Sequence, residues 1–397
     1  MRLRIRNDWW VAFCFDCVFM WLVIVVLSLA LLSPASAANC PSANPNDNIP
    51  DDDALNACLN LGGTVSLDLG SPGYIIAKGL TLTVNGTVFT SAKTPTRATL
   101  IADPSLHAPL LKAPNRSTTN YRIDSILFDG NRPRRDASVC SGYRDFGTNA
   151  ELHGSGFTVT NIESARALCG SSLNISGSDF EVANSSFHDN GASQGAPEPW
   201  ADGITLARCI RGYVHHNTLA NNTDVDIVNG GGQNCRVENN TIQHTTTHGF
   251  AGLAIHKFPW TPDGGNHTGS VFQNNAISSA PNLLELGISV GMNPWGVSGT
   301  VSGSIINNTV SGAQVNLAVD GYSNGTVNSN TLSSPQGGCA LNYTVSNVTN
   351  VCLQPGWAVK SVQLGTMCTD TGQVITSTCN VSTPPASSSG LRISETQ

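Results

Sequence analysis

The chain has 397 residues, of which 12% are charged and 40% are hydrophobic, and its formal net charge at pH 7 is −7. The low charge content excludes a coiled coil or a long-helix protein, and the apolar fraction is large enough for a packed core, which excludes wholesale disorder. An acidic chain also lacks the positive surface that nucleic-acid binding requires, so we expect no nucleic-acid partner.

The first 37 residues have the pattern of a secretory leader. Three arginines precede an apolar run over 11–32, and the small residues Pro34-Ala35-Ser36-Ala37 follow it. This is the pattern of a signal peptide with its cleavage site. Because the run approaches membrane-spanning length, an uncleaved signal anchor is the alternative. We therefore predict a secreted, extracellular chain that contacts a membrane only if the leader is retained.

Cysteines and glycosylation motifs agree with an extracellular location. Ten cysteines follow the leader, and twelve Asn-x-Ser/Thr sequons predict a glycoprotein. An even number of cysteines without a Cys-x-x-Cys motif favours disulfides, although sequence alone does not fix their connectivity. Pairing of sequence neighbours gives five couples: Cys40/Cys58, Cys140/Cys169, Cys209/Cys235, Cys339/Cys352 and Cys368/Cys379.

The first predicted element after the leader is a short helix over Asp51–Leu61. Its acidic residues Asp51 to Asp53 would lie at the positive end of the helix dipole. No convincing amphipathic helix longer than about ten residues follows, and we interpret this one as an N-terminal cap.

A repeat then runs along the chain, in which Asn is followed by Thr or Ala and an aliphatic residue. Successive copies are 32, 23, 35, 33 and 22 residues apart, and short alternating strands lie between them. A period near 22 with insertions is typical of stacked coils with occasional long loops. The copies begin at Asn217, Asn240, Asn275, Asn308 and Asn330, with a weaker copy at Ser185.

These features predict a solenoid. Each coil has an apolar inner row that cannot be buried alone, so the coils stack around one long core. An Asn at the same point of each coil would form a buried ladder in which each amide bonds the next amide and the turn backbone.

Residues from about 50 to 355 resemble right-handed parallel β-helix proteins of the pectin-lyase-like superfamily. The resemblance lies in Asp53-Ala54-Leu55-Asn56-Ala57-Cys58, Gly62-Gly63-Thr64-Val65, Gly73-Tyr74-Ile75-Ile76, Leu80-Thr81-Leu82 and Phe128-Asp129-Gly130-Asn131. It implies an all-β fold, a single right-handed parallel β-helix with a short N-terminal capping helix. We assign this domain to 38–379 and a flexible tail to 380–397.

Three aspartates on neighbouring coils are the main catalytic candidates. Asp202 lies in one predicted strand, and Asp224 and Asp226 lie in the next. If Val225 and Ile227 point inward, strand alternation places Asp224 and Asp226 outward on one face. Adjacent strands are about 4.8 Å apart, so the carboxyl groups could act together on one glycosidic bond as acid and base.

The order of these pieces resembles the polygalacturonase family of glycoside hydrolases. That family has Asn-Thr-Asp-Gly, then Asp-Asp, then Gly-His-Gly on successive coils, and Asp202, Asp224 and His248 match the first, second and third motifs. The chain departs from the family at Val225 and Thr247. It has no counterpart of the family's Arg-Ile-Lys at 287–290, which argues against galacturonic acid as the substrate.

Tryptophans next to prolines add candidate substrate contacts. Trp200, Trp260 and Trp295 each follow a proline in a loop, where an aromatic face could stack on a sugar ring. Covering the ends of the apolar core is the alternative role for them. His256 and Lys257 lie close to Trp260 in the sequence and are further candidates for substrate binding.

Two other chemistries remain open. The acidic residues could bind Ca²⁺ in a polysaccharide lyase or epimerase, where Lys257, Arg208 or Arg211 would remove a proton. A metal site of clustered histidines is the other reading, but His215 and His216 are sequence neighbours that point to opposite faces, and no ligand spacing accompanies them.

We therefore predict an extracellular carbohydrate-active enzyme, an inverting glycoside hydrolase that acts on a polysaccharide as a monomer. It would need no cofactor, whereas a lyase or epimerase would use Ca²⁺. The hypothesis from a different class is a non-catalytic cell-wall or surface β-helix protein.

Overall fold

A computed structural model describes residues 38–40, 42–142, 144–192, 199–261, 263–291, 300–320, 322–333, 339–343, 348–353, 358–361 and 369–374. The predicted leader 1–37 and tail 380–397 lie outside these residues. In the described part of the chain, no helix is both long and apolar enough to cross a membrane.

The chain winds through three sheets in turn, which we call A, B and C, and each coil of the solenoid adds one strand to each sheet. Neighbouring strands within a sheet are parallel, except for the last pair of sheet C. Parallel pairing between successive coils is the defining feature of a parallel β-helix, and the predicted solenoid is confirmed.

The strands of each sheet follow in chain order. Sheet A contains Ala38–Asn39, Thr64–Leu67, Val88–Ser91, Arg122–Asp124, Thr158–Thr160, Glu181–Ala183, Tyr213–His215, Arg236–Glu238, Val271–Gln273, Val301–Ile306, Tyr322–Asn328 and Val348–Leu353. Sheet B contains Tyr74–Ile76, Ala98–Ala102, Ile126–Asp129, Glu163–Ala165, Ser186–His188, Thr218–Ala220, Thr241–His244, Ala276–Ser279, Thr309–Ser311 and Thr331–Ser333. Sheet C contains Leu80–Thr81, Leu111–Ala113, Ala150–Ser155, Gly170–Ser178, Ala201–Ile210, Val225–Asn229, Gly249–Ile255, Leu284–Gly291, Val315–Asp320, Cys339–Tyr343, Ala358–Ser361 and Thr369–Val374.

Helix α1, Asp52–Leu61, covers the N-terminal end of the solenoid as predicted. Leu55 and Leu59 enter the core. The Asp52 carboxylate accepts hydrogen bonds from the backbone N–H groups of Ala77, Lys78 and Gly79 in the next coil. Three short helical turns lie farther along, at Arg132–Arg134, Val139–Gly142 and Arg144–Gly147.

The interior is filled by apolar rows that run from coil to coil. In sheet C, one such row contains Ile204, Ile227, Leu253, Ile288 and Leu317, which the strand register places side by side. All five are fully buried in one continuous cluster. Burial of such rows is the main stabilising contribution in a stack of coils that cannot fold singly.

The predicted asparagine ladder runs through the turn between sheets A and B. Asn240 Nδ2 donates to Asn275 Oδ1 at 3.0 Å and also to the Val214 carbonyl. From Asn240 onward, each ladder Oδ1 accepts from the side chain and the backbone N–H of the preceding member, so these buried amides and turn groups are satisfied together. The ladder links Asn217, Asn240, Asn275, Asn308 and Asn330, and Ser185 N–H joins it at Asn217.

Three of the predicted disulfides are present, namely Cys40–Cys58, Cys140–Cys169 and Cys209–Cys235. The side chains of the other two predicted couples, Cys339/Cys352 and Cys368/Cys379, lie outside the described residues. Cys140–Cys169 and Cys209–Cys235 join segments of neighbouring coils, and Cys40–Cys58 joins the end of the first strand to helix α1. Pairing of sequence neighbours succeeds because these segments are close in the fold.

Candidate functional site

Sheet C provides the longest strands of the solenoid, up to ten residues in Ala201–Ile210. Segments 130–149 and 221–224 lead into its strands from sheet B, and segments 230–235 and 256–270 lead out toward sheet A. We call the outward surface of this sheet, with the segments at its two edges, the sheet C face. All three predicted catalytic aspartates lie in or next to its strands.

A second apolar cluster covers part of the sheet C face. It is separate from the interior core and contains Val225, Val228, Ala251, Ala254, Phe258, Leu286 and Val315. Val228 and Ala254 each follow an interior residue, Ile227 and Leu253, so alternation directs them outward. We refer to this set as the outer apolar cluster.

Strand register places Val225, and not an acid, beside Asp202. The pairs Ile204↔Ile227 and Thr205↔Val228 fix Asp202 opposite Val225, and Val225 pairs with Ala251 in the following coil. The outward row that contains Asp202 therefore continues as apolar residues of the outer apolar cluster.

Asp226 points inward, and the prediction that it faces outward is wrong. Its side chain is fully buried, and its carboxylate contacts Asn222 Nδ2 at 2.7 Å and His244 Nε2 at 2.7 Å. The alternation of inward and outward residues breaks where the chain turns into sheet C. Val225 belongs to the outer apolar cluster, whereas the next two residues, Asp226 and Ile227, both face the interior. Asp226 therefore does not contact a substrate on the sheet C face.

Asp202 is a partly exposed carboxyl group held in a fixed position. Thr205 Oγ1 donates to its Oδ2 at 2.6 Å, and the Val225 N–H donates to its Oδ1 at 3.1 Å. Ser171 Oγ lies 2.5 Å from Thr205 Oγ1 and orients that hydroxyl in turn. Asp202 is thus positioned by two outward hydroxyl groups and one strand amide.

Asp202 and Asp224 form a hydrogen-bonded carboxyl pair. Burial raises the pKa of Asp202 to about 6, and the negative charge of Asp226 adds to the effect, against the hydrogen bonds from Thr205, Val225 and Asp224. Two carboxyl groups hydrogen-bond only when one carries a proton. The pair therefore holds a proton at mildly acidic pH, which is the condition for a general acid.

His248 lies at the same edge but contacts a different acid. Its Nε2 is 3.9 Å from Glu285 Oε1, and both side chains are about one-third exposed. Glu285 was not a candidate in the sequence, since no motif surrounds it.

The predicted aromatic contacts have different environments. Trp260 is 72% exposed and stacks on Phe258, with ring centroids 4.7 Å apart. Trp200 is half-buried and pairs with Gly191 in an isolated antiparallel bridge. Trp295 lies outside the described residues. Only Trp260 among the described two presents a largely open ring at the edge of the sheet C face.

Several residues predicted to contact substrate or to remove a proton are buried or already paired. His256 is 2% exposed and its Nδ1 lies 2.8 Å from the Gly291 carbonyl, so the prediction that it binds substrate has no exposed surface to support it. Burial lowers the pKa of His256 to about 4. Lys257 is partly exposed. The two arginines that could act in a lyase are each bound to an aspartate, Arg208 to Asp263 and Arg211 to Asp179.

Sequence reasoning missed a charged cluster two coils before Asp202. Glu151 is almost buried on the sheet C face, 3.1 Å from Lys112 Nζ and 3.2 Å from His153 Nε2. Although burial opposes its charge, hydrogen bonds to His153 and Lys112 lower the pKa of Glu151. The alternating Glu-x-His of one strand was the available signal, but Lys112 is distant in sequence and is brought near by the pairing of Lys112 with Glu151.

Within the described residues, no group of three or more His, Cys, Asp or Glu side chains is arranged to hold a metal ion. The Asp202–Asp224 pair and the Glu151 cluster each offer one or two carboxylates. His215 contacts Glu181 and His216 on the outside of sheet A, away from the sheet C face.

Comparison with solved structures identifies the fold. The Azotobacter vinelandii mannuronan C-5 epimerase AlgE4 A-module superposes with a TM-score of 0.50 at 12% identity, covering 82% of this chain and 97% of that chain. A hyperthermoactive exopolygalacturonase from Thermotoga maritima gives a TM-score of 0.50 at 10% identity, covering 80% and 92%. The Dettilon tailspike protein gives 0.52 at 13% identity, covering 81% and 67%.

These similarities establish a right-handed parallel β-helix, the architecture that the sequence predicts. No protein-family model matches the sequence, and no curated protein matches it. The fold hosts unrelated activities, so function has to be argued from the residues of the sheet C face.

Proposed function

We propose that the protein is an extracellular glycoside hydrolase that acts on a polysaccharide along the sheet C face. The observation that carries this proposal is the Asp202–Asp224 pair, a partly exposed carboxyl pair in which the pKa of Asp202 is raised to about 6. Hydrolysis of a glycosidic bond needs a carboxylic acid that still holds its proton when the leaving oxygen arrives.

In this proposal, the residues of the sheet C face have separate roles. The protonated member of the Asp202–Asp224 pair donates to the glycosidic oxygen. Asp226 does not touch the substrate and acts from inside the coil, where its charge raises the pKa of Asp202. Trp260 offers an exposed ring for stacking on a sugar at the edge of the sheet C face.

The extracellular location is supported by the three disulfides, which form in oxidising compartments. Secretion by means of the predicted leader, glycosylation at the sequons and action as a monomer are parts of the same proposal. The exopolygalacturonase similar in fold acts on a polysaccharide, as its name states, and this is consistent with the proposed substrate class.

A screen on a panel of neutral and acidic polysaccharides tests the proposal. We expect new reducing ends from at least one of xylan, arabinan, polygalacturonate or alginate, without absorbance from an unsaturated product. Asp202→Asn should abolish this signal. Failure of the wild-type protein to act on or bind any polymer would favour a non-catalytic surface protein.

The Lys112–Glu151–His153 cluster supports a second candidate, a lyase or epimerase of a uronate polymer. Lys112 places a cation on the sheet C face, where it could neutralise a sugar carboxylate, and His153 could exchange the proton at C5. A lyase would then break the C4–O bond and yield an unsaturated sugar, whereas an epimerase would return the proton to the other face. Product absorbance or altered sugar composition that disappears in Lys112→Met, with Asp202→Asn unaffected, would favour this candidate.

A further inference from the structure

Two carboxylates lie in one row of the sheet C face, two coils apart. The pair Val225↔Ala251 places Asp224 beside Phe250, and the Phe250 N–H donates to the Asp224 carbonyl at 2.8 Å. The pairs Gly249↔Leu284 and Ala251↔Leu286 place Phe250 beside Glu285. The row therefore contains Asp224, Phe250 and Glu285 in that order.

The three side chains share the outward side of the sheet. Phe250 packs on the outer apolar cluster, which lies on that side. Asp224 reaches Asp202, which lies in the outward row that continues into the same cluster. The Glu285 side chain is about one-third exposed, so it lies outside the interior core. An aromatic ring thus forms the floor between an acidic pair and a separate carboxylate.

The spacing of the row fits a particular reaction geometry. Two strand intervals separate the Cα atoms of Asp224 and Glu285 by about 10 Å, and the side chains decide how far apart the two carboxyl groups lie. In inverting glycoside hydrolases the acid and base carboxyl groups are about 6.5–9.5 Å apart, which leaves room for a water molecule. Asp202 and Asp224 are hydrogen-bonded to each other, which is too close to leave room for a sugar and a water molecule between them. They therefore cannot serve as the acid and the base of one inverting reaction.

His248 lies close to the Glu285 carboxylate. His248 Nε2 lies 3.9 Å from Glu285 Oε1, which is too far for a hydrogen bond but within ion-pair range, and both groups are accessible to solvent. A general base must be ionised, and an imidazole beside a carboxylate is a group that can carry the opposite charge.

We infer that Glu285 is the general base of the proposed hydrolase; this inference rests on the proposed function and accounts for the inverting reaction that the sequence predicts. The Asp202–Asp224 pair donates its proton to the glycosidic oxygen as the C1–O bond breaks. Glu285 accepts a proton from water on the opposite face, and the water oxygen forms the new bond to C1. The products are a free hydroxyl on the leaving sugar and a hemiacetal of inverted configuration.

Leaving-group dependence separates the two roles. We would measure Asp202→Asn, Glu285→Gln and the matched control Glu181→Gln, whose glutamate lies on sheet A, on the polymer found in the screen and on the glycosyl fluoride of its sugar. Fluoride leaves without a proton. The activity of Asp202→Asn relative to wild type should therefore be at least tenfold higher on the fluoride than on the polymer. Glu285→Gln should stay at least a hundredfold below wild type on both substrates, because water must still be deprotonated.

The outcomes distinguish the inference from the proposed function. Proton NMR of the first product should show the inverted anomer, and a retained anomer would overturn the inference. Glu285→Gln with near-normal activity beside an inactive Asp202→Asn would also overturn it, while leaving the proposed hydrolase in place. If both variants kept full activity, both proposals would fail. Unfolding midpoints within a few degrees of wild type would show that each variant is folded.

Discussion

His244 and Asp226 form a fully buried pair that joins sheet B to sheet C, with Nε2 and Oδ2 2.7 Å apart. The other ring nitrogen, Nδ1, lies 2.8 Å from the Thr247 carbonyl, so both nitrogens of His244 face acceptors. Burial opposes a charge on the ring, but the Asp226 carboxylate outweighs it and raises the pKa of His244. The pair continues through Asn222 to Asn190 as one buried polar network.

Removal of one partner should be costly. Asp226→Ala leaves His244 and Asn222 without their acceptor inside the coil, and we expect a loss of about 3–5 kcal/mol in the free energy of unfolding. Asp53→Ala is the control, because the Asp53–Lys78 ion pair is exposed and should contribute little to the free energy of unfolding. Urea unfolding measures both, and an equal, small loss in the two variants would contradict the structural role of the network.

Two other buried histidines should make the protein sensitive to acid. Burial lowers the pKa of His256 and of His267 to about 4, below the value near 6.5 in the unfolded chain. Their neutral forms therefore stabilise the folded state above pH 6.5, and this stability is lost as the pH falls toward 4, up to about 3 kcal/mol for each residue.

The comparison of pH slopes isolates this effect. Unfolding free energies between pH 7 and 4.5 should fall less steeply in His267→Gln than in wild type. Gln243→Asn should leave the slope unchanged, because Gln243 is exposed and carries no group that titrates in this range. A wild-type slope that His267→Gln does not alter would contradict the assignment.

The asparagine ladder should contribute strongly at a single interior position. Asn275 bonds Asn240, Asn308 and the Val237 carbonyl, so Asn275→Ala leaves several buried groups unsatisfied, at a cost of about 3 kcal/mol. Its neighbour Asn274 is exposed with a positive φ of 56°, which Gly adopts without strain. Asn274→Gly should therefore stay within about 0.5 kcal/mol of wild type in the same urea experiment. A ladder variant as stable as this control would contradict the argument.

The repeat was predictable because it recurs in register with the coils. Each ladder asparagine follows a turn residue and precedes an outward Thr or Ala, so sequence spacing alone located Asn217 through Asn330. The three observed disulfides were predictable for a related reason, since they connect segments that the stacking already places together.

The orientation of Asp226 was not predictable from alternation. The strand rule assumes that every second residue faces inward, but the chain turns as it enters sheet C, and Asp226 and Ile227 both face the core there. Lys112 and Glu151 were missed for a different reason. They belong to neighbouring strands of sheet C separated by a long insertion, so no local motif contains both.

Trp260 should contribute to polysaccharide binding and not to the stability of the fold. Its side chain is 72% exposed, so Trp260→Ala should leave the unfolding midpoint nearly unchanged. Loss of stacking on a sugar should weaken polysaccharide affinity roughly tenfold, measured by affinity electrophoresis in polymer-containing gels. Unchanged migration would remove Trp260 from the proposed binding surface.

The most direct test of the central claim is the activity of Asp202→Asn on the polysaccharide found in the screen. Asn preserves the size of the side chain but cannot donate the acidic proton, so we expect a loss of about 10²–10⁴-fold, with wild-type activity that falls as the pH rises through about 6. The control is Asp179→Asn, which changes an aspartate paired with Arg211 outside the site. Asp202→Asn that keeps activity within a factor of three of this control would contradict the proposed role of the Asp202–Asp224 pair.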